Sequence, residues 1–183
     1  LKLQAGIDWR TAGIEHAREV RDLMGGDFYM DFADNNSPDG KKVGLGDIIA
    51  YHNETTVDWL GGFLQGSYSS GPLSAYGMGG VSSIAYTYQD HFTVADEVID
   101  ADAIITTQFK GGAMYDVADN ISVFGNFGIV EKPPIMDNVI YFDGTVASDP
   151  ANERFISTEA GVSYSSGIGA VKVSAYILET YFL

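Results

Sequence analysis

Cysteine is absent from this 183-residue sequence, which removes disulfides, thiolate metal sites and cysteine nucleophiles together. The absence does not identify a compartment. Basic residues are scarce: ten Lys and Arg stand against 25 Asp and Glu, giving a net charge of −15. A nucleic-acid surface needs clustered Lys and Arg to meet phosphates, so that class of partner is excluded. No apolar run approaches the roughly 18 residues that a membrane helix requires. A helical membrane protein is thereby excluded, but a transmembrane β-barrel is not, because its strands carry only a weak alternating signal. There is no Gly-x-Ser-x-Gly, Walker loop or dinucleotide fingerprint.

What is present is the composition of a folded chain, 45% hydrophobic and 13% aromatic, with 22 Gly. That is too apolar for disorder. Eleven Tyr and ten Phe suit a pleated surface. The length permits one ordinary domain.

The segments follow a rhythm. Seven strand-like stretches run Leu1–Thr11, Val57–Tyr68, Leu73–Tyr88, Ile104–Tyr115, Ile121–Val130, Phe155–Tyr164 and Ala170–Phe182. Long polar connections (Ala12–Thr56, Gln89–Ala103, Glu131–Arg154) alternate with short turns (Ser69–Pro72, Asp116–Asn120, Ser165–Gly169). In an up-and-down meander alternate connections fall on opposite ends, so the long loops gather at one end and the tight turns at the other. Outer-membrane barrels are built this way. Most of the stretches match or exceed the about 9 to 11 residues with which a tilted strand crosses a bilayer; globular strands average about 5 to 6.

Side chains alternate across a strand. In the first stretch Leu1, Leu3, Ala5, Ile7 and Trp9 share one face, and Lys2, Gln4, Gly6, Asp8 and Arg10 the other. Farther along, Phe109, Val123, Phe127, Val162, Val173 and Ile177 are expected to join the apolar, outward face. Lys110, Asn126, Glu159 and Lys172 are expected on the polar, inner face, where Glu159 and Lys172 could form a structural ion pair. A charge placed at Val123 would cost about 2 to 4 kcal/mol if that residue sits near the bilayer midplane. The glycine-rich second and third stretches do not declare their facing. Tyr68, Tyr115 and Tyr164 each precede a tight turn, as fits an interfacial ring with wet hydroxyls.

Periodicity alone leaves a secreted carbohydrate-binding β-sandwich open as an alternative. The order and spacing of several blocks add to it: Gly6-Ile7-Asp8-Trp9-Arg10, then Glu15 to Gly26 (EHAREVRDLMGG), Gly46 to Asn53 (GDIIAYHN), Gly71 to Tyr76 (GPLSAY), Lys110 to Tyr115 (KGGAMY), and Val123 to Gly128 (VFGNFG) followed by Lys132-Pro133-Pro134. Across nearly its whole length the chain resembles the barrel of a TonB-dependent outer-membrane receptor, of the Bacteroidetes type with a carboxypeptidase-regulatory-like N-terminal domain.

The resemblance implies an all-β, antiparallel, up-and-down transmembrane wall of about 22 strands with a plugged lumen. Residues 1–183 would supply an open sheet of about seven strands. It implies no catalysis and no cofactor, and uptake of a scarce ligand of the siderophore, cobalamin or glycan class. Partners would be outer-membrane lipid, the plug domain of the same parent chain, TonB through the N-terminal region, and the small-molecule ligand. The plug and TonB box of that family lie N-terminal to the barrel. The chain starts at Leu1 in mid-pattern without an initiator Met or signal peptide, so it reads as a piece of something longer. It ends at Leu183 where a closing strand would carry a terminal aromatic. A passive porin is the alternative within membranes.

The ligand candidates fall in the first long connection: Arg18, Arg21, Tyr29, Tyr51 and His52. Arginine can clamp an anion through two parallel hydrogen bonds, and the aromatic rings can stack on a ligand. Glu15, Glu19 and Asp22 could instead use these arginines to brace the loop, and an amphipathic turn is expected over Ile14–Met24. Three histidine pairings, His16 with Glu19, His52 with Glu54 and His91 with Asp90, offer two ligands each. A catalytic zinc site needs three protein ligands, so no metal site is assigned. The acidic run Asp31–Gly40 misses the EF-hand spacing. It reads, like Asp27, Asp90, Asp96, Glu97, Asp100 and Asp102, as solvated loop charge.

Overall fold

The computed structural model describes residues 1–92 and 97–182; Asp96 and Leu183 lie outside the described residues. Its strands are β1 (Lys2–Glu19), β2 (Tyr29–Asp31), β3 (Lys41–Val43), β4 (Ile48–Ser70), β5 (Leu73–Asp90), β6 (Val98–Asp100), β7 (Ile104–Ala118), β8 (Ile121–Lys132), β9 (Glu153–Ser166) and β10 (Gly169–Phe182). Seven of them form a single antiparallel sheet in the order β1-β4-β5-β7-β8-β9-β10, with β6 paired to β5. The short β2 and β3 make a separate ribbon. Each long strand pairs with its sequential neighbours, as the alternating connections require. The sheet is open, with β1 and β10 at its edges. No second sheet of sandwich type faces it among the described residues.

Register settles the facing of every long strand, because directly opposed residues share a face. Ile7 opposes Gly62, which opposes Val81; Gly79 opposes Phe109, which opposes Ile129; Val123 opposes Val162, which opposes Val173. The expected outward set therefore shares one face, now completed by Leu60, Leu64 and Val81 from the glycine-rich strands. Tyr68, Tyr115 and Tyr164 join it beside the tight turns. Leu3 is 70% exposed, Ile7 84% and Ile177 65%. An apolar surface of this extent is far larger than a soluble monomer leaves in water and is suited to lipid.

The inner face carries aromatic rings laid over glycines. Gly6 opposes Phe63, Gly112 opposes Tyr76 and Gly161 opposes Phe124. A Cβ on Gly161 would stand 2.5 Å from the Phe124 ring, so these glycines supply the space into which the rings lie.

The strands outrun their expected lengths at the loop end. β1 continues to Glu19 and β4 begins at Ile48, joined by Arg18–Ile49 and Glu19–Ile48 pairing. The amphipathic turn expected over Ile14–Met24 is therefore wrong through Glu19, which is extended strand. The backbone ladder to β4 satisfies those amides more completely than an isolated turn. β4 spans 23 residues, about a dozen beyond what a bilayer crossing needs.

The core sits at that same end. Ile84, Tyr86, Tyr88 and Ile104, on the inner face, pack against Val139 and Ile140 from the β8–β9 connection. That connection includes a 3-10 turn, Met136–Asn138, and is fastened where the Tyr86 hydroxyl donates to the Pro134 carbonyl at 2.9 Å. It thus folds across the inner side of the sheet.

Candidate functional site

Four of the five expected ligand residues stand on or beside strand ends rather than in a free loop. Between Ala17–His52 and Arg18–Ile49 the β1–β4 register shifts, leaving Ala50 and Tyr51 as extra residues in β4. Ala50 takes φ +68°, a left-handed conformation unusual for alanine. Its N–H donates to Asp31 Oδ2 at 3.3 Å. The bulge re-aims Tyr51, and the Arg18 guanidinium lies 5.3 Å from the centre of its ring.

Arg18, Arg21 and Tyr29 line one concave surface of about 380 Å³, with Met24 and Phe28 among its apolar members. Glu19 and Asp22 line it too, so its formal charge balances. His52 does not belong with them. It opposes Ala17, one residue before Arg18, and successive strand residues point to opposite faces. His52 instead meets Glu15, with Nε2 to Oε1 at 2.8 Å, and its ring centre lies 4.4 Å from that of His91. His91 in turn meets Glu54 at 3.3 Å.

A second groove, of about 410 Å³, escaped the sequence reading. His16, Asn53 and Tyr88 from three adjacent strands form one wall; Asp137, Tyr141 and Phe142 from the β8–β9 connection are among those forming the other. His16 and Asn53 are directly opposed, so strand parity would have found that wall had β1 and β4 been extended far enough. Tyr88, sixteen residues into β5, stands above the membrane-crossing part of the strand. Burial, with help from the neighbouring Asp90 carboxylate, pushes its phenol up to about 12. At neutral pH it is a donor, and it donates to Asp90 Oδ2 at 3.2 Å.

In the acidic run Asp31–Gly40, Asp31 is not the solvated loop charge expected, since it is buried and holds the distant Ala50 N–H. It also accepts from the Ala33 N–H at 3.2 Å, and Asp34 accepts from the Asn36 N–H at 2.9 Å. Nearer the tight turns, the expected pairing of Lys172 with Glu159 is present at 3.5 Å. It belongs to a polar chain on the inner face. Tyr76 OH donates to Asn126 Oδ1 at 3.3 Å, and Asn126 Nδ2 donates to Glu159 Oε2 at 2.9 Å.

The family model described as TonB dependent receptor-like, beta-barrel matches residues 1–181. The chain therefore belongs to the TonB-dependent receptor β-barrel family, whose members are outer-membrane transport proteins of bacteria and not enzymes. A search of curated proteins found no match.

Proposed function

We propose that this chain forms part of the wall of a receptor that captures a scarce ligand of the siderophore, cobalamin or glycan class at its loop end. Within the family, the proposed subtype is the one with a carboxypeptidase-regulatory-like N-terminal domain. Residues 1–183 contribute barrel wall, and a plug domain and TonB box elsewhere in the parent protein supply gating and energy. The inner face offers that plug a concavity of about 460 Å³ beside the tight turns, where Tyr76 and Phe124 stand with Asn126 and Lys172.

The observation that carries the reading is the convergence of Arg18, Arg21 and Tyr29 on one groove above the membrane. The arginines offer planar donors and the tyrosine a face for stacking. The balanced charge of the groove favours a ligand with both polar and apolar surface over a simple polyanion.

The test is uptake of a ferric siderophore, cobalamin or an oligosaccharide by cells displaying the intact receptor, with and without TonB. One of the three should enter only when TonB is present. The double variant Arg18→Ala/Arg21→Ala should lower that uptake at least tenfold at equal surface abundance. TonB-independent entry would point to a passive pore, and full uptake by the double variant would remove the groove from the account.

A further inference from the structure

We propose that His52, Glu54 and His91, together with Glu15, form a binding site for a transition divalent cation of the zinc class. The site lies on the outer face of the sheet, above the membrane. It does not rest on the ligand-capture reading, because it occupies the opposite face of β1 and β4 from the Arg18 groove.

The first reason is electrostatic. Glu15 and Glu54 are directly opposed in the β1–β4 register, and like charges directly opposite destabilise a sheet. Such a pair calls for a cation. In a chain of net charge −15, the long-range field also draws cations in. What stands over the two carboxylates is a pair of imidazoles, each with Nε2 turned toward one of them.

The second reason is geometric. One ligand atom from each of His52, Glu54 and His91 can be chosen so that all three lie within 4.8 Å of one another. With zinc–nitrogen and zinc–oxygen distances near 2.1 Å, ligand atoms on one tetrahedral ion sit about 3.4 Å apart. Closing that difference needs side-chain torsion only, because the backbone is already fixed. The His91 N–H donates to the His52 carbonyl at 2.9 Å, and Asn36 Nδ2 donates to the His91 carbonyl at 2.9 Å. Glu15 stands outside that trio but beside it, with Oε1 2.8 Å from His52 Nε2, and would supply a fourth donor by a further turn of its side chain.

The donor types select the ion. Two imidazoles with carboxylates suit zinc and its transition-metal neighbours, whereas calcium and magnesium take oxygen ligands. The two histidine side chains are 20% and 22% exposed, which leaves an entry path from outside. A bound ion would clip β1 and β4 to the segment that follows β5, where these strands stand free of the bilayer.

The experiment is a titration of the intact, chelator-stripped protein in detergent micelles, with Zn²⁺ followed by calorimetry and Co²⁺ by its visible absorption. One equivalent should bind, with Co²⁺ bands of a four- or five-coordinate site. His52→Ala/His91→Ala should weaken binding at least a hundredfold and Glu54→Gln at least tenfold. His16→Ala, on the other face of β1, should leave it unchanged. Heat-modifiable gel mobility verifies that each variant is folded, and the wild-type stoichiometry stands even where a variant is not. Absence of saturable binding in the wild type, or retention of it by the folded double-histidine variant, would overturn the site. The histidines would then be simple ion-pair partners of the two glutamates.

Discussion

The Tyr76 hydroxyl reaches across the full width of β7 to donate to Asn126 Oδ1 at 3.3 Å. It can do so because the β7 residue between them is Gly112, opposed to Tyr76 on one side and to Asn126 on the other. A Cβ there would stand 2.7 Å from the Tyr76 ring and closer still to the Asn126 oxygen. Gly112→Ala should therefore break the hydrogen bond and destabilise the sheet by about 1 to 3 kcal/mol, the usual cost of overpacking. Gly79→Ala, on the outer face with nothing within 4 Å of the added methyl, should be near neutral. Urea unfolding in lipid vesicles compares the two.

Depth along the strand decides what a charge costs on the outer face. Val123 is the third residue of β8 and opposes Tyr115, one of the residues beside a tight turn. It therefore lies near the interface and not at the midplane, and Val123→Arg should cost about 0 to 1 kcal/mol. Phe127, seventh of twelve in β8, takes the central position. Phe127→Arg should cost about 2 to 4 kcal/mol, measured by the same unfolding assay. Equal costs at the two positions would contradict the placement of the bilayer.

Ala50 holds a left-handed conformation that glycine adopts without steric penalty. Ala50→Gly should stabilise the protein by about 0.5 to 1 kcal/mol. Ala160→Gly, in the interior of β9, should destabilise it by about the same amount. Opposite shifts in urea midpoint at unchanged slope are the expected result. A loss of stability at Ala50 would mean that the bulge is not held as described.

The number and order of the seven long strands, and the facing of all but the glycine-rich β4 and β5, were legible in the sequence because a period of two survives wherever one face meets lipid and the other does not. Val123, Val162 and Val173 announce their shared face on their own. Above the bilayer neither face meets lipid, and the signal disappears. Polar residues occupy both faces of Arg18–Glu19 and of His52–Thr56, so the upper parts of β1 and β4 read as loop. Arg18, Arg21 and Tyr29 converge on one groove, whereas His52 turns to the other face; that parity is not assignable from spacing inside a strand whose upper end reads as loop. The contact of His52 with His91 depends on the β4–β5 register and on the path of the chain after Asp90, neither of which is written in local spacing.

The outward and inward faces are tested most directly by nitroxide scanning of β8 in the membrane-embedded receptor, with single-cysteine labels placed in a segment, residues 1–183, that holds no cysteine of its own. Labels at Val123, Phe127 and Ile129 should be relaxed by lipid-dissolved oxygen and shielded from a water-soluble nickel chelate. Labels at Ser122, Asn126 and Gly128 should be shielded from oxygen, so that oxygen accessibility oscillates with a period of two. Oxygen accessibility that is flat along β8, or strong nickel accessibility at Phe127, would contradict a wall with one face in lipid.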